Sequence, residues 1–201
     1  VDHLIDQLLV KKPPVDILDE LLLPLPSLII CDMLGVAYED HDFFQRSGKK
    51  LISEKTTMEE AIAITEELCD KFIGGLIDEK NANPGEDLLS RMVVQYLRPG
   101  ELTKHELVCV ARMLLQAGHE TTANTMALGL LTLFENSDQL ALLQADPEQI
   151  TSAVDEILRY VDVGHGGRRR TALSDFEFGG VLIRAGEGII AQNNSANRDE
   201  S

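Results

Sequence analysis

An acidic residue followed by two threonines, Glu120-Thr121-Thr122, comes directly after Ala117-Gly118-His119 in the middle of a long apolar segment. Acidic residues are rarely buried without a partner, threonine is a mediocre helix former, and glycine destabilises a helix interior by about 1 kcal/mol relative to alanine. A carboxyl group beside a hydroxyl group is the pairing that a proton relay needs. These residues are therefore a candidate catalytic site, with a Glu paired to a distant Arg as the structural alternative.

The threonines and the glycine predict a local distortion of the helix. A threonine hydroxyl can donate to the carbonyl four residues back, which is Ala117 for Thr121. The same geometry pairs Thr122 with Gly118. Such bonds bend a helix, and we expect the distorted turn to hold water. Because Gly118 has no side chain, the helix surface can lie close against a flat ligand there.

Two other interpretations of nearby motifs fail on spacing. His119-Glu120 begins the HExxH pattern of zinc enzymes, in which two histidines one helical turn apart bind the metal. Ala123 occupies the second ligand position, and the five histidines form no other ligand spacing, so we expect no metal site. Gly164, Gly166 and Gly167 lack the G-x-G-x-x-G spacing of a dinucleotide-binding loop.

Two charged groups follow further along the chain. Glu156 and Arg159 share one face of a predicted helix and can pair, with Asp155 as a competing partner of Arg159; taken alone, this is an ordinary surface pair. Arg168-Arg169-Arg170 follow a glycine-rich bend. Arginine binds carboxylate or phosphate through two parallel hydrogen bonds, so three in an acidic chain indicate an anionic group nearby, unless the run is simply solvated.

The central site is predicted to lie on one helix over about residues 103–135. Thr103 and Glu106 have the capping-box spacing at its start. A helix of this length extends for about 50 Å, which is enough to cross a domain. Its apolar residues are distributed nearly all round, which predicts burial on all sides.

The rest of the chain is predicted to be mainly helical, with a small β region. Apolar residues at helical spacing run from Pro13 to Leu34, with a bend at the prolines 24 and 26 and a stop at Gly35. Further helices are predicted over 39–52, 57–80, 87–97 and 148–161, the last capped by Asp146. Short hairpin strands are predicted around Gly179-Gly180 and at 189–191.

The composition limits the partners of the chain. It has 34 acidic against 18 basic residues and a net charge of -16, which disfavours nucleic acid and anionic membranes because both are polyanions. No apolar run reaches the ~18 to 20 residues of a membrane span. Cys31, Cys69 and Cys109 are far apart without a CxxC motif, so we expect reduced, buried thiols and a cytoplasmic location.

The order and spacing of these groups resemble the cytochrome P450 superfamily, the haem-thiolate monooxygenases, in their soluble bacterial, actinomycete type. The residues that carry the resemblance are AGHETT at 117–122, EILR at 156–159, Arg170 before a β hairpin, and SANRD at 195–199. The similarity runs over essentially the whole chain and is most specific from Gly85 onward. It implies the cytochrome P450 fold, of which this chain would be a part.

The resemblance also implies a role for each site residue. Ala117, Gly118 and Thr122 would belong to the groove for oxygen over the distal haem face. Glu120 and Thr121 match the acid–alcohol pair that delivers protons during the cleavage of dioxygen. Glu156 and Arg159 match the structural ExxR pair of the proximal side, with a third partner just past Asp199, and Arg170 matches the arginine that binds a haem propionate.

One departure from the family pattern concerns the iron ligand. The family uses a Cys in a glycine-rich loop near its C-terminus, which the resemblance places beyond Ser201, and none of the three cysteines present has that context. Because the chain also opens on Val1 and the family is about twice as long, we expect residues 1–201 to be the central part of a single haem-monooxygenase domain, truncated at both ends. We expect no monooxygenase activity from this part alone.

The implied function is insertion of one atom of O2 into a small apolar organic substrate by a haem b enzyme. Electrons would come from NAD(P)H through ferredoxin and a ferredoxin reductase. Two alternatives stay open: a nitric oxide reductase, which Glu187 to Ile190 and Asn197 to Glu200 also resemble although those enzymes lack the acid at Glu120, and a non-catalytic helical protein.

Overall fold

The computed structural model describes residues 1–37, 40–51, 53, 55–164 and 166–200. The chain divides into two compact units, Val1–Ala123 and Asn124–Ser201. The predicted combination of a mainly α-helical chain with a small β region is confirmed.

The first unit is entirely helical over its described elements. Its α-helices are α1 (Asp2–Leu9), α2 (Pro24–Leu34), α3 (His41–Leu51), α4 (Met58–Thr65), α5 (Gly74–Ala82), α6 (Leu88–Met92) and the first part of α7 (Lys104–Glu135). Wider, π-helical turns occupy Leu18–Leu22, Glu66–Ile73 and Val93–Leu97. The predicted helix over 57–80 is therefore one helical run whose middle is π-helical. The helix predicted over 39–52 corresponds to α3, and its residues 39 and 52 lie outside the described residues.

Local capping explains where several of these helices begin and end. Thr57 and Glu60 form a complete capping box at the start of α4, in which each side chain satisfies a free backbone N–H group. Gly35 ends α2, as predicted, in a left-handed conformation with φ of 65°. A Cβ atom there would also lie 2.6 Å from the carboxyl group of Asp87. Glycine is therefore required at this position by conformation and by space.

The core of the first unit is formed by one cluster of buried apolar side chains. Its fully buried members come from α2, α5, α6, α7 and two π-helical segments: Cys31, Leu34, Leu68, Ile73, Ile77, Leu89, Val93, Leu107 and Ala111. Phe43 and Phe72 pack beside it with ring centroids 5.3 Å apart. Burial of this apolar surface holds the helices together.

Helix α7 begins as predicted but is less buried than predicted. Glu106 accepts from the Thr103 backbone N–H at 2.8 Å, and Thr103 accepts from the Glu106 N–H at 3.2 Å, which completes the capping box. Leu107 is fully buried, but Met113 is 59% and Phe134 65% exposed. The prediction of burial on all sides is wrong for this chain, because the neighbouring elements cover only part of the helix surface.

The second unit contains the rest of α7 and shorter elements. These are α8 (Ser137–Ala145), a 3-10 turn (Pro147–Gln149), α9 (Ile150–Tyr160), strands β1 (Arg168–Thr171), β2 (Phe176–Phe178), β3 (Val181–Ile183) and β4 (Gly188–Ala191), and α10 (Asn193–Ala196). The predicted cap at Asp146 is not formed: its carboxylate accepts from the Gln149 side chain at 2.9 Å, because the first turn after Pro147 is a 3-10 turn.

The strands form two antiparallel pairs. Strands β2 and β3 pair around Gly179-Gly180, as the sequence predicts. Strand β1 pairs with β4, with Arg168 opposite Ala191. The sequence indicates no strand at the three arginines, because this pairing joins residues that lie far apart along the chain.

The three cysteines differ in their environment. Cys31 and Cys69 are buried, as expected, but Cys109 is exposed. Apolar neighbours in sequence favoured burial of Cys109, whereas its position on α7 points the side chain away from the core. Over the described residues, no helix combines the length and the apolar character that crossing a bilayer requires.

Candidate functional site

The Glu120–Thr121 pair lies in the middle of α7, in an unbroken α-helical turn. The Thr121 hydroxyl donates to the Ala117 carbonyl at 2.7 Å, as predicted. Among the described hydrogen bonds, none comes from the Thr122 hydroxyl. The turn stays α-helical, because a carbonyl oxygen has two lone pairs and can accept from the threonine while it keeps its backbone bond. The bend itself stays a prediction.

Gly118 is partly buried and lies against the side chain of Ile30. A Cβ atom at this position would lie 2.6 Å from Cδ1 of Ile30, which belongs to α2. Real Cβ contacts are much longer, so only glycine allows Ile30 to approach this closely. The close approach of a flat ligand at this position stays a prediction, while the neighbouring Ala117 lines an open cleft.

His119 binds the backbone of a distant element. Its Nε2 atom lies 3.1 Å from the carbonyl oxygen of Leu23, 96 residues earlier in the chain. Within the described part of the chain, no cluster of His, Cys, Asp and Glu could hold a metal ion. His119 thus contacts the main chain just before α2.

Glu120 borders a small cavity in the first unit. The cavity has a volume of about 40 Å³, which is room for about two or three water molecules. Its polar lining comes from Ser27, Arg112, Gln116, His119 and Glu120. Arg112 and Gln116 also border the open cleft of about 440 Å³ beside Ala117. The rest of the cavity lining is largely apolar and includes Leu68 and Leu115, and the exposed Thr121 hydroxyl follows Glu120 in sequence without lining the cavity.

In the second unit, Glu156 and Arg159 form a two-pronged ion pair on α9. The guanidinium Nε and Nη2 donate to the two carboxylate oxygens at 2.6 and 2.5 Å. Arg159 also donates to the Asn197 carbonyl, and the Asn197 amide donates back to the Arg159 carbonyl at 3.1 Å. The hydrogen bond from Arg159 lowers the pKa of the Glu156 carboxyl. The arginine thus pairs with Glu156 and not with the competing Asp155.

A second arginine contact in this unit has no local sequence signal. Arg198 donates to the Tyr160 carbonyl at 3.0 Å, and its guanidinium carbon lies 4.3 Å from the centroid of the Tyr160 ring. The residues are far apart along the chain, so their pairing becomes visible only once α10 is placed. Together with Asn197, Arg198 ties the segment after α10 to the end of α9.

Arg170 lies on the exposed strand β1. Its guanidinium donates to the Arg169 carbonyl at 2.8 Å, and the three arginines are solvent-exposed. An exposed guanidinium is available to bind an anionic group.

The chain is mainly helical and has a long central helix that carries an acid–alcohol pair, followed by a Glu-x-x-Arg helix. This is the arrangement that the resemblance to haem-thiolate proteins implies. Cytochrome P450 105A3 of Streptomyces carbophilus is 42% identical over the whole chain and 48% of its own length. The mycinamicin VIII C21 methyl hydroxylase of Micromonospora griseorubida is 42% identical over 99% of the chain and 50% of the relative.

Solved structures agree with these relatives. The crystal structure of the mycinamicin VIII hydroxylase bound to mycinamicin VIII matches 98% of the chain and 50% of that structure, with a TM-score of 0.85. The LnmA cytochrome P450 hydroxylase of Streptomyces atroolivaceus matches 98% of the chain and 51% of that structure, with 36% identity and a TM-score of 0.91.

The chain belongs to the cytochrome P450 superfamily. No protein-family model matches it, so membership rests on similarity along the whole chain. The chain spans about half the length of the relatives that it matches.

Among the described residues, Arg170 could hold a haem at its edge, and two of the three cysteines are poorly suited to its iron. The exposed Arg170 suits a propionate carboxylate. Burial raises the pKa of the Cys31 thiol to about 11, against a smaller lowering by the Ser27 hydroxyl, and burial also raises the pKa of Cys69. Because the thiolate is the metal-binding form, these two thiols are poor iron ligands. The expectation that the ligand lies outside these cysteines stays a prediction.

Proposed function

We propose that the full-length protein is a haem-dependent monooxygenase that inserts one atom of O2 into a small apolar organic substrate. The observation that carries the proposal is the Glu120 carboxyl group, one residue from the Thr121 hydroxyl and bordering a cavity with room for water. The family to which the chain belongs supports the same function. Because the chain covers about half of its relatives, the activity of the whole protein is a proposal.

The proposed work of this turn is proton delivery. When bound, haem would pass electrons from NAD(P)H to dioxygen, and the chain would supply the protons from solvent. Glu120 takes a proton from water in the small cavity and passes it on by general acid catalysis. The Thr121 hydroxyl donates to Ala117 at 2.7 Å, which holds its oxygen in place on the helix, and a hydroxyl oxygen can also accept a hydrogen bond.

The remaining residues serve binding and structure in this proposal. Arg170 holds a haem propionate, and Glu156 with Arg159 stabilises the proximal side. Ala117 lines the cleft in which oxygen and substrate would meet α7. Electrons arrive from NAD(P)H through ferredoxin and its reductase in the cytoplasm, and residues 1–201 are the central part of one haem-monooxygenase domain.

The names of the relatives support the class of reaction and leave the substrate open. They include a methyl hydroxylase for mycinamicin VIII and a vitamin D3 dihydroxylase. Since these substrates differ, the proposal for this protein stays with the class of small apolar organic compounds.

Isotope labelling tests the proposed function directly. The full-length, haem-loaded protein is supplied with ferredoxin, its reductase, NADPH and a panel of apolar compounds under ¹⁸O2 gas. We expect one labelled oxygen atom in the product and the other in water. Labelled product in which both atoms enter the substrate, or rapid NADH-dependent consumption of nitric oxide without any substrate oxidation, would contradict the proposal.

A further inference from the structure

We propose that His119 is a positioning residue, which holds the Glu120–Thr121 turn of α7 against the beginning of α2 through its bond to Leu23. The effect of this contact on proton delivery by Glu120 and Thr121 rests on the proposed function. The contact itself stands on the geometry of the first unit alone, so the two can fail separately.

The bond defines which imidazole nitrogen carries a proton. Nε2 of His119 lies 3.1 Å from the Leu23 carbonyl oxygen. A carbonyl oxygen only accepts hydrogen bonds, so Nε2 must be the donor. The imidazole donates from Nε2 both as the neutral Nε2–H tautomer and as the imidazolium. The bond therefore persists in either charge state of the ring.

A second contact fixes the same turn to the same helix. Next to His119, Gly118 receives the side chain of Ile30, which lies two helical turns further along α2 than Leu23. One polar and one apolar contact, separated along α2, restrain both the sliding and the rotation of α7 at this point. A helix held at a single point would still be free to rotate about that point.

The side chains of the turn itself have little burial, although Leu115 before it packs against the core and Ala123 after it is fully buried. Ala117 and Thr121 are exposed, and Glu120 is only half-buried. Burial in the apolar core therefore does not fix these side chains. Because a misplacement of about 1 Å at a catalytic group can cost about a hundredfold in rate, a turn that carries a proton relay requires an anchor. His119 and Gly118 directly precede Glu120 and provide it.

Three variants of the full-length, haem-loaded protein test the anchor. His119→Phe keeps a ring of similar size but removes the donor, and His119→Gln keeps an N–H donor. His105→Phe is the matched control, because His105 is an exposed histidine on the same helix. Hydrogen exchange of residues 117–123 and 23–30 is measured for each, together with the ¹⁵N resonances of the imidazole in the unmodified protein.

In the unmodified protein we expect the His119 imidazole to carry a proton on Nε2. In His119→Phe we expect hydrogen exchange in both segments to be about two- to tenfold faster, which is the change that the loss of one ordinary hydrogen bond gives. The share of NADPH electrons that ends in peroxide should be higher in His119→Phe than in the unmodified protein. It should be close to that of the unmodified protein in His119→Gln and in His105→Phe. Unchanged exchange and coupling in His119→Phe would overturn the proposal.

The NMR measurement keeps the test decisive if His119→Phe fails to fold. An imidazole whose Nε2 lacks a proton would overturn the contact, and a protonated Nε2 with a shift typical of a hydrogen bond would support it. If the unmodified protein oxygenates no substrate, the proposed function fails, while exchange and NMR still decide the anchor.

Discussion

The two units are stabilised in different ways. In Val1–Ala123, buried apolar residues from several helices meet in one cluster. In Asn124–Ser201, the described apolar residues with the least exposure are Val161 at 9% and Ala172 at 5%. The apolar packing of this second unit is mostly half-buried, for example where Gly129 lies against Ile157. Polar contacts such as those of Arg159 with Glu156 and Asn197 add to it. The stability of the first unit thus depends mainly on burial, whereas that of the second depends more on hydrogen bonds and strand pairing.

This difference bears on the two parts of the site. The Glu120–Thr121 turn belongs to a unit that has its own core, so its geometry is set within residues 1–123. The Glu156–Arg159 pair belongs to a unit whose large apolar side chains are exposed, for example Leu158 at 56% and Phe178 at 74%. Exposed apolar surface of this kind is typical of sites that contact another part of a protein.

The largest expected effect comes from truncating a core residue of the first unit. Ile77 is fully buried, whereas Leu158 in the second unit is 56% exposed. We expect Ile77→Ala to lower the free energy of unfolding by about 3 kcal/mol and Leu158→Ala by about 0.5 kcal/mol or less. Urea unfolding of the chain measures both. Equal losses would show that the second unit has an apolar core of its own.

A smaller effect is expected at a partly buried ion pair of the first unit. Lys80 donates to Asp87 at 2.8 Å, with side chains 12% and 11% exposed, and Asp87 also accepts from the Ser90 N–H. Asp87→Ala leaves Lys80 without a partner, and we expect a loss of about 2 kcal/mol in the free energy of unfolding.

The pH dependence of Asp87 provides an independent check. Burial opposes its charge, but the hydrogen bonds from Lys80 and Ser90 outweigh this and hold the pKa of the carboxyl below its ordinary value of 3.8. A carboxylate with a lowered pKa stabilises the fold above that ordinary value and loses the effect as the pH falls through the folded pKa. Stability of the unmodified chain should therefore fall below about pH 4 more steeply than that of Asp87→Asn.

The smallest effects are expected at the helix caps, where the loss of a cap that is formed can be compared with the loss of one that is not. Thr103 accepts from the Glu106 N–H, so Thr103→Ala should cost about 1 kcal/mol in the free energy of unfolding, and Thr103→Ser much less. Asp146 makes no such backbone bond, so Asp146→Ala should cost about 0.3 kcal/mol or less. Thermal unfolding of the three variants checks the order. A larger loss for Asp146→Ala would contradict it.

Local signals in the sequence predicted the features that depend on a few adjacent residues. The capping box at Thr103, the end of α2 at Gly35 and the hairpin at Gly179-Gly180 are of this kind. The pairing of Glu156 with Arg159 is also local, because three residues along a helix bring two side chains together.

Features that depend on distant residues could not be predicted in this way. Strand β1 exists through its pairing with β4, and the exposure of Cys109 depends on which face of α7 is covered. The partner of His119 is a backbone carbonyl 96 residues away. A backbone acceptor has no residue type that a sequence pattern could identify, so the role of this histidine emerges from the structure alone.

The proton relay itself is tested most directly by the coupling of electron use to product in Thr121→Ala, with Thr121→Ser as the control that keeps the hydroxyl. In the full-length, haem-loaded protein we expect NADPH consumption to continue in Thr121→Ala, with the share that yields oxygenated product falling by about tenfold or more. Peroxide should account for the difference, and Thr121→Ser should remain close to the unmodified protein. Full coupling in Thr121→Ala would contradict the role proposed for the Glu120–Thr121 pair.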